Sequence, residues 1–182
     1  MKNILFFILI VAICGCSHRS GNDKYINHSD NIMDVKGLVR EIVIDTPLIG
    51  GLARPYVLGD YFLLTDPQST ENQIFIFDKK NFSYIAGVGH RGEGPDEITN
   101  LGELMPDEVH QRIYAADYGK MKMMGYDLDS ILLNPDCLPQ YKFDINKTTP
   151  PVMLSYVNDT LCYACCITAN PGQHFQESLA MW

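Results

Sequence analysis

The sequence predicts an all-β fold made of repeated four-stranded units, placed behind an N-terminal segment that serves export. Two observations predict this fold. Apolar strands that end in aspartate recur about every 50 residues along the chain. Gly-Asp and Asn-Asp pairs, which suit tight hairpin turns, separate neighbouring strands. We expect this domain to span residues 34–182.

Residues 1–15 have the three regions of a secretory signal peptide. Met1-Lys2-Asn3 is a short cationic start, and residues 4–13 are an unbroken apolar run. A helix of that length rises only about 15 Å, whereas the hydrocarbon core of a bilayer is about 30 Å thick. The run is therefore predicted to direct export and not to remain as a membrane span.

A cysteine follows the apolar run at the position where a lipoprotein would be cleaved. The sequence Ile13-Cys14-Gly15-Cys16 resembles the lipobox of lipoprotein signal peptides, although Cys14 stands where Ala or Ser is commonest. The resemblance implies that Cys16 carries the acyl chains, becomes the mature N-terminus and attaches the protein to a membrane. The alternative is an ordinary secreted protein with a cysteine at this position.

Residues 16–33 are polar and predict a flexible tether between the lipid and the folded domain. Ser17 does not resemble an inner-membrane retention signal, and no acidic run follows Cys16. We expect a lipid-anchored protein of the cell envelope, held at the outer membrane and facing the periplasm.

The acidic composition excludes one class of partner. The formal net charge is −8 and the sequence pI is about 4.9. Such a chain lacks the basic surface that nucleic acids require, so no nucleic acid is expected as a partner.

Four cysteines follow the tether: Cys137, Cys162, Cys165 and Cys166. Cys162 and Cys165 have the C-x-x-C spacing, but they lie in an apolar stretch that predicts a strand. Residues three apart on a strand face opposite sides, which argues against a shared metal or a redox turn. Structural burial is favoured, and one disulfide remains an alternative in an oxidising compartment.

The repeat has a period close to 50 residues in three places. Two strands of the same type end at Asp66 and Asp117, which are 51 residues apart, and the strands that follow them end at Asp78 and Asp127, which are 49 apart. A third copy is predicted at residues 151–157 and 161–164, and its second strand begins at Leu161, 48 residues after Ile113.

The first unit predicts four strands, at residues 53–58, 61–65, 73–77 and 82–88. Four antiparallel strands repeated every 40 to 50 residues are typical of a β-propeller blade. A β-sandwich of short strands is the alternative.

Residues 87–97 contain a glycine-rich segment that spells G-x-G-x-x-G. A dinucleotide-binding loop would need a helix to begin there, but Glu93-Gly94-Pro95-Asp96-Glu97 follows and prevents one. This segment instead resembles the G-x-x-G-x-G-P-G-E-F motif of six-bladed propeller lipoproteins of Gram-negative bacteria, the TolB-like or 6-bladed β-propeller proteins. The match falls on Gly89, Gly92, Gly94, Pro95 and Glu97.

The resemblance implies a six-bladed propeller in which this loop connects two blades and has no catalytic role. A conformational role for the loop is favoured. The alternative is contact with a partner or ligand, and its candidate residues are Gly89, Arg91, Gly92, Glu93, Gly94, Pro95 and Glu97.

No nucleophile elbow, P-loop or metal-binding histidine pair occurs in the sequence. The leading hypothesis is a non-enzymatic binding or scaffold module without a cofactor, acting on an envelope protein or peptide. The alternative is a metal-dependent hydrolase or lactonase, whose candidate ligands are Glu93, Asp96, Asp117 and Asp127.

Six units of this length need roughly 300 residues. Residues 38–182 hold about two complete blades and the start of a third, and residues 174–182 are not expected to close a blade. We therefore expect the chain to be part of a longer protein.

Overall fold

A computed structural model of the chain describes residues 33–158, 161–169 and 175–181. The predicted signal peptide, the lipidation site at Cys16 and nearly all of the tether lie outside these residues. The chain divides into two compact units, residues 1–41 and 42–182. In the first unit, residues 33–41 are exposed and contain a turn in which the Leu38 N–H donates to the Val35 carbonyl at 2.9 Å.

The first sheet is antiparallel, with its four strands in chain order. Its strands are β1 (Arg54–Leu58), β2 (Tyr61–Thr65), β3 (Asn72–Asp78) and β4 (Tyr84–His90). All four strands predicted for this unit are present. The predicted turn at Gly59-Asp60 joins Leu58 to Tyr61, which pair across it, and Gly59 has a φ of 56°.

The second sheet repeats this topology and includes a helix. Its strands are β5 (Leu101–Asp107), β6 (Arg112–Asp117), β7 (Lys122–Asp127) and β8 (Tyr141–Asp144), in the order β5-β6-β7-β8. Between β7 and β8 lies helix α1 (Leu128–Leu133), which buries Leu128 and Ile131. No helix in the described part of the chain is long and apolar enough to cross a membrane.

The third sheet has three strands in the order β11-β10-β9. They are β9 (Pro151–Asn158), β10 (Leu161–Ala169) and β11 (Phe175–Met181). The strands β9 and β10 were predicted, whereas β11 was not, because the sequence gives residues 175–181 no aspartate-ended strand pattern. The sheet still lacks a fourth strand in the described residues.

The three sheets stand side by side through their first strands, with β5 beside both β1 and β9. The main core lies between the first and second sheets and includes Leu63, Ile74, Ile76, Ile113 and Met124. The opposite face of β3 places Phe75 and Phe77 in a second cluster. Residues 73–77 are all buried because this strand is covered on both faces. This is the arrangement of adjacent propeller blades.

The cysteines of β10 alternate between its two faces, as the strand prediction requires. Cys162 lines an open cavity of about 430 Å³ between the second and third sheets. Cys165 lies opposite Met153 and Leu179 on the other face, where both neighbours are exposed. The four described cysteines form no disulfide.

One buried aspartate in each of the first two sheets holds the segment that enters the sheet. Asp66, at the end of β2, accepts the Gly50 N–H at 2.7 Å. Asp117, at the end of β6, accepts the Thr99 and Asn100 N–H groups at 3.1 and 3.0 Å. Both are nearly inaccessible, with exposures of 2% and 0%. Asp66 and Asp117 thus have the same role in successive sheets, which explains why aspartate recurs after 51 residues.

Aspartate also fixes the turns between strands. Asp78 accepts the N–H groups of the second and third residues after it, Asp117 does the same, and Asp107 accepts the N–H of the third. In each case the fourth residue after the aspartate has a positive φ: 59° at Phe82, 52° at Gln111 and 54° at Met121. A side chain that satisfies the turn amides explains why these strands end in aspartate.

Asp117→Asn is expected to lower the free energy of unfolding by about 1–3 kcal/mol, because an amide nitrogen would replace one acceptor oxygen beside buried N–H donors. Urea denaturation measures this loss. Asp60→Asn, at an exposed turn, is the matched control and should leave stability unchanged. Equal behaviour of the two variants would contradict the anchoring role.

Candidate functional site: the glycine-rich loop and its cleft

The glycine-rich loop leaves β4 at its last two residues and reaches β5 at Leu101. Gly89 has a φ of 71°, and a Cβ there would lie 2.9 Å from Ile98 Cδ1 and 3.3 Å from Ile74 Cδ1. Both the backbone conformation and the close approach of these buried side chains require glycine. The loop therefore starts at a point where the first sheet packs closely against the residues leading into the second.

Two further glycines make room for a side chain of the loop itself. The Glu97 carboxylate accepts the Gly94 N–H at 2.7 Å. A Cβ at Gly92 would lie 1.9 Å from Glu97 Oε2, so any larger residue there would displace the carboxylate. Gly92, Gly94 and Glu97 thus determine the shape of the loop, as a conformational role requires.

A lysine in the turn between β6 and β7 binds the backbone of the glycine-rich loop. Lys120 Nζ donates to the carbonyl oxygens of Gly94 and Glu97, both at 2.6 Å. The same ammonium lies 3.8 Å from Asp117 Oδ2. Thr99 Oγ1 adds a bond to the Gly92 carbonyl at 3.0 Å. The buried aspartate, the lysine and the loop backbone form one connected polar network.

The remaining candidate residues of the loop divide into a structural and an exposed set. The Arg91 guanidinium donates to the Pro67 carbonyl at 2.8 Å and so ties the loop to the β2–β3 connection. Glu93 and Pro95 are exposed. Of the seven candidate positions, these two therefore present their side chains to solvent without a supporting role in the loop.

A cleft of about 500 Å³ lies beside the loop, between the end of β4 and the segment that follows α1. Its lining includes four carboxylates and one histidine: Glu71, Asp96, Glu97, Asp136 and His90. Asp96 is already paired with Lys142. The excess of carboxylates favours a cationic group over an anionic one in this cleft.

Tyr126, which is 1% exposed, also lines the cleft. Its hydroxyl is the one buried side-chain N or O atom in the described residues that has no hydrogen-bond partner. Burial, reinforced by Cys137 and Asp96, raises the pKa of Tyr126 well above its usual value, so the hydroxyl keeps its proton at neutral pH. Buried hydroxyls are normally satisfied by protein, water or a ligand.

The four carboxylates considered for a metal-dependent hydrolase do not meet at one place. Asp117 holds backbone amides, and Asp96 pairs with Lys142. Asp127 accepts Arg112 Nε at 2.8 Å and the Tyr141 hydroxyl at 3.3 Å. Across residues 33–158, 161–169 and 175–181, no group of three or more His, Cys, Asp or Glu side chains could hold a metal.

Sequence reasoning missed Tyr126 and Lys120. Tyr126 lies in an apolar strand, so the sequence predicts an aromatic side chain buried in the core. No neighbouring residue in the sequence indicates that its hydroxyl has no hydrogen-bond partner. Lys120 follows the predicted end of β6, in a turn that reads as solvent-exposed. Their roles depend on residues 23 to 30 positions away along the chain, such as Asp96, Glu97 and Gly94.

Lys120→Met is expected to lower the free energy of unfolding by about 1–3 kcal/mol, since it removes two hydrogen bonds from a charged donor. It should also expose the loop at residues 91–100 to proteolysis. Lys122→Met is the control, because Lys122 pairs with exposed Asp144 across the sheet. Urea denaturation and limited proteolysis provide the measurements, and similar results for the two variants would contradict the network.

Comparison with known proteins places the chain in a family. A family model described as DUF5128, 6-bladed β-propeller, matches residues 22–170. A crystal structure of a Bacteroides fragilis protein to which export is attributed superposes with a TM-score of 0.52 at 19% identity, over 68% of this chain and 32% of that one. This chain thus spans about a third of that protein's length.

The β-propeller domain of Cps50 (Swd1) from Myceliophteria thermophila superposes less well, with a TM-score of 0.42 at 12% identity over 71% of this chain and 38% of that one. No curated protein matches the sequence. The predicted all-β fold of partial propeller blades is confirmed. With the family match covering most of its length, the chain belongs to the 6-bladed β-propeller family DUF5128.

Proposed function

We propose that this chain is an exported, lipid-anchored envelope protein whose propeller is a non-enzymatic binding or scaffold module for a protein or peptide. The sequence supports export through its signal-like residues 1–15 and lipidation through Cys16. The attribution of export to the similar Bacteroides fragilis protein supports the same compartment. The glycine-rich motif at residues 89–97 supports a relation to TolB-like propellers in particular.

The observation that carries the binding role is the cleft lined by Tyr126, whose buried hydroxyl has no hydrogen-bond partner in the described residues. A buried hydroxyl without a partner costs about 1–3 kcal/mol. A ligand group that hydrogen-bonds to it would recover that free energy, and the carboxylates around it would attract a positive charge. A lysine side chain of an envelope partner combines a charge, three donors and a long apolar stem in one ligand.

The position of the cleft also suits a scaffold. Its walls come from the loop that joins the first two sheets and from the segment after α1, so a ligand would contact elements of both sheets. The exposed Glu93 and Pro95 belong to the same loop and can extend the contact to a larger partner. The interactions that we propose at the cleft are hydrogen bonding and charge attraction, and neither needs a catalytic residue. We therefore propose recognition without catalysis.

Lipid attachment is tested by labelling cells with radioactive palmitate. Cys16→Ser is expected to abolish incorporation and to move the protein out of the membrane fraction, because no thiol would remain at the acceptor position. Cys14→Ala is the matched control and should retain both, since it restores the commonest lipobox pattern. Label retained in the Cys16→Ser protein would contradict the proposal.

The cleft is tested with N-acetyl-lysine methylamide, using N-acetyl-norleucine methylamide as the uncharged control. In the isotopically labelled protein, the lysine probe should produce saturable NMR shifts at amides lining the cleft, and added salt should weaken them. Tyr126→Phe should raise the dissociation constant roughly tenfold, the equivalent of one hydrogen bond. It should leave the free energy of unfolding unchanged or higher, since no protein partner is lost.

Two results would count against the cleft. One is equal shifts from the lysine and norleucine probes, which would mean that charge plays no part. The other is unchanged lysine affinity in Tyr126→Phe, which would mean that the hydroxyl does not reach the ligand.

A further inference from the structure

The connection between β7 and β8 forms one side of the cleft beside the glycine-rich loop. Residues 79–83 alone join β3 to β4 in the first sheet, whereas residues 128–140 join the equivalent strands of the second. Since the short connection is sufficient to link two such strands, the longer one is not required for the sheet itself. Its last part supplies residues 135–138, all of which line the cleft. Long connections of this kind commonly carry function.

This side of the cleft is held in place by the second sheet. The Cys137 side chain packs against the main core. The Gln140 N–H donates to the Gly125 carbonyl at 2.9 Å. The side-chain amide of Gln140 accepts the Asp127 N–H at 2.9 Å and donates to the Leu138 carbonyl at 2.5 Å. A ligand here therefore meets a preformed surface and does not have to order it.

The same side of the cleft presents apolar side chains to solvent. Leu138 is 60% exposed, and Pro135 is exposed as well. Single exposed leucines are common on protein surfaces, so exposure alone carries no argument. Leu138 differs because its backbone is fixed and because it lines a concave site. A ligand in the cleft would therefore remove its apolar surface from water.

The other side of the cleft is acidic. Glu71 precedes β3, and Asp96 and Glu97 belong to the glycine-rich loop. No lysine or arginine is among the described residues that line the cleft. Its volume of about 500 Å³ is in the range of small-molecule sites, so it has room for more than one side chain. The cleft therefore offers a ligand both negative charge and apolar surface.

We propose that the cleft recognises an extended peptide that carries a lysine and a bulky apolar residue two positions away from it. Alternate side chains of an extended peptide point to the same side. The lysine would lie against the carboxylates while the apolar residue covers Leu138 and Pro135. This inference rests on the proposed function, which places a lysine in the same cleft, and it adds selection of the residue beside that lysine.

A peptide of this kind fits the cleft better than a small free cation such as a polyamine. Either ligand would satisfy the excess of carboxylates. A polyamine would leave the apolar surface of Leu138 and Pro135 in water, whereas an apolar residue of the peptide would bury it. The partner is therefore a peptide segment in which a basic and an apolar side chain alternate.

Two peptides test the proposal by NMR titration of the isotopically labelled full chain. One is acetyl-Leu-Gly-Lys-Gly-Leu-amide, which presents leucine on both sides of lysine and so binds in either chain direction. The other is acetyl-Gly-Gly-Lys-Gly-Gly-amide. The leucine peptide should have a roughly tenfold lower dissociation constant, because it buries apolar surface against Leu138. Added salt should weaken both peptides and leave their ratio unchanged, since apolar contact is not screened.

Two leucines of the same connection provide a matched pair of variants. Leu138→Gln keeps the length of the side chain but removes its apolar end, so the two peptides should then bind about equally. Leu133→Gln is the control, because Leu133 is 87% exposed at the end of α1 and is not among the residues that line the cleft. It should retain the roughly tenfold preference. Leu138→Ala replaces Leu138→Gln if circular dichroism shows that the latter is unfolded.

Three outcomes would overturn the inference, and they separate it from the proposed function. Equal affinities of the two peptides for the unaltered chain would show that the apolar side of the cleft selects nothing, while lysine binding would still stand. A preference that survives Leu138→Gln, or that Leu133→Gln also abolishes, would place the apolar contact elsewhere. Failure of N-acetyl-lysine methylamide to shift the amides of the cleft would overturn the proposed lysine site and this inference together.

Discussion

A four-stranded sheet with apolar residues on both faces has to be covered twice, and this constraint organises the molecule. In β3 five consecutive residues, 73–77, are buried, with Ile74 and Ile76 facing the second sheet and Phe75 and Phe77 facing away from it. A neighbouring sheet can bury only one of these two faces, so each sheet packs against a neighbour on either side. The sheets therefore form a row.

The polar network at the joint between the first two sheets solves a different problem. Connecting segments between blades carry many backbone N–H and C=O groups that the sheets cannot satisfy. Asp66 and Asp117 satisfy the amides of the segments that enter each sheet, and Lys120 satisfies two carbonyls of the glycine-rich loop. Among the buried side-chain N and O atoms of the described residues, the Tyr126 hydroxyl alone has no hydrogen-bond partner, and Tyr126 lines the cleft beside the loop.

Local patterns predicted most of the strands because aspartate-ended strands and Gly-Asp turns depend on nearby residues. The two strands predicted for the third copy are present, but β11 was missed, since its pairing with β10 follows from register and not from an intrinsic pattern. Helix α1 was missed for a similar reason: its six residues are too few for a clear helical period, and they are helical because Leu128 and Ile131 pack into the main core. For the loop, the glycines were found in the sequence, whereas the reason for Gly92 and Gly94, the position of the Glu97 carboxylate, is set by the folded structure.

The sequence by itself determined the period, the strand type and the turn chemistry, because each rests on interactions within a few residues. It also supplied the export and lipidation hypothesis, which lies outside the described structure. Only the tertiary structure decided which groups meet: Lys120 with the loop, residues 135–138 with the acidic side of the cleft, and the Tyr126 hydroxyl with no partner in the described residues. Those outcomes depend on residues of different strands and loops, whose distance is set by how the strands pair and the sheets pack and not by spacing along the chain.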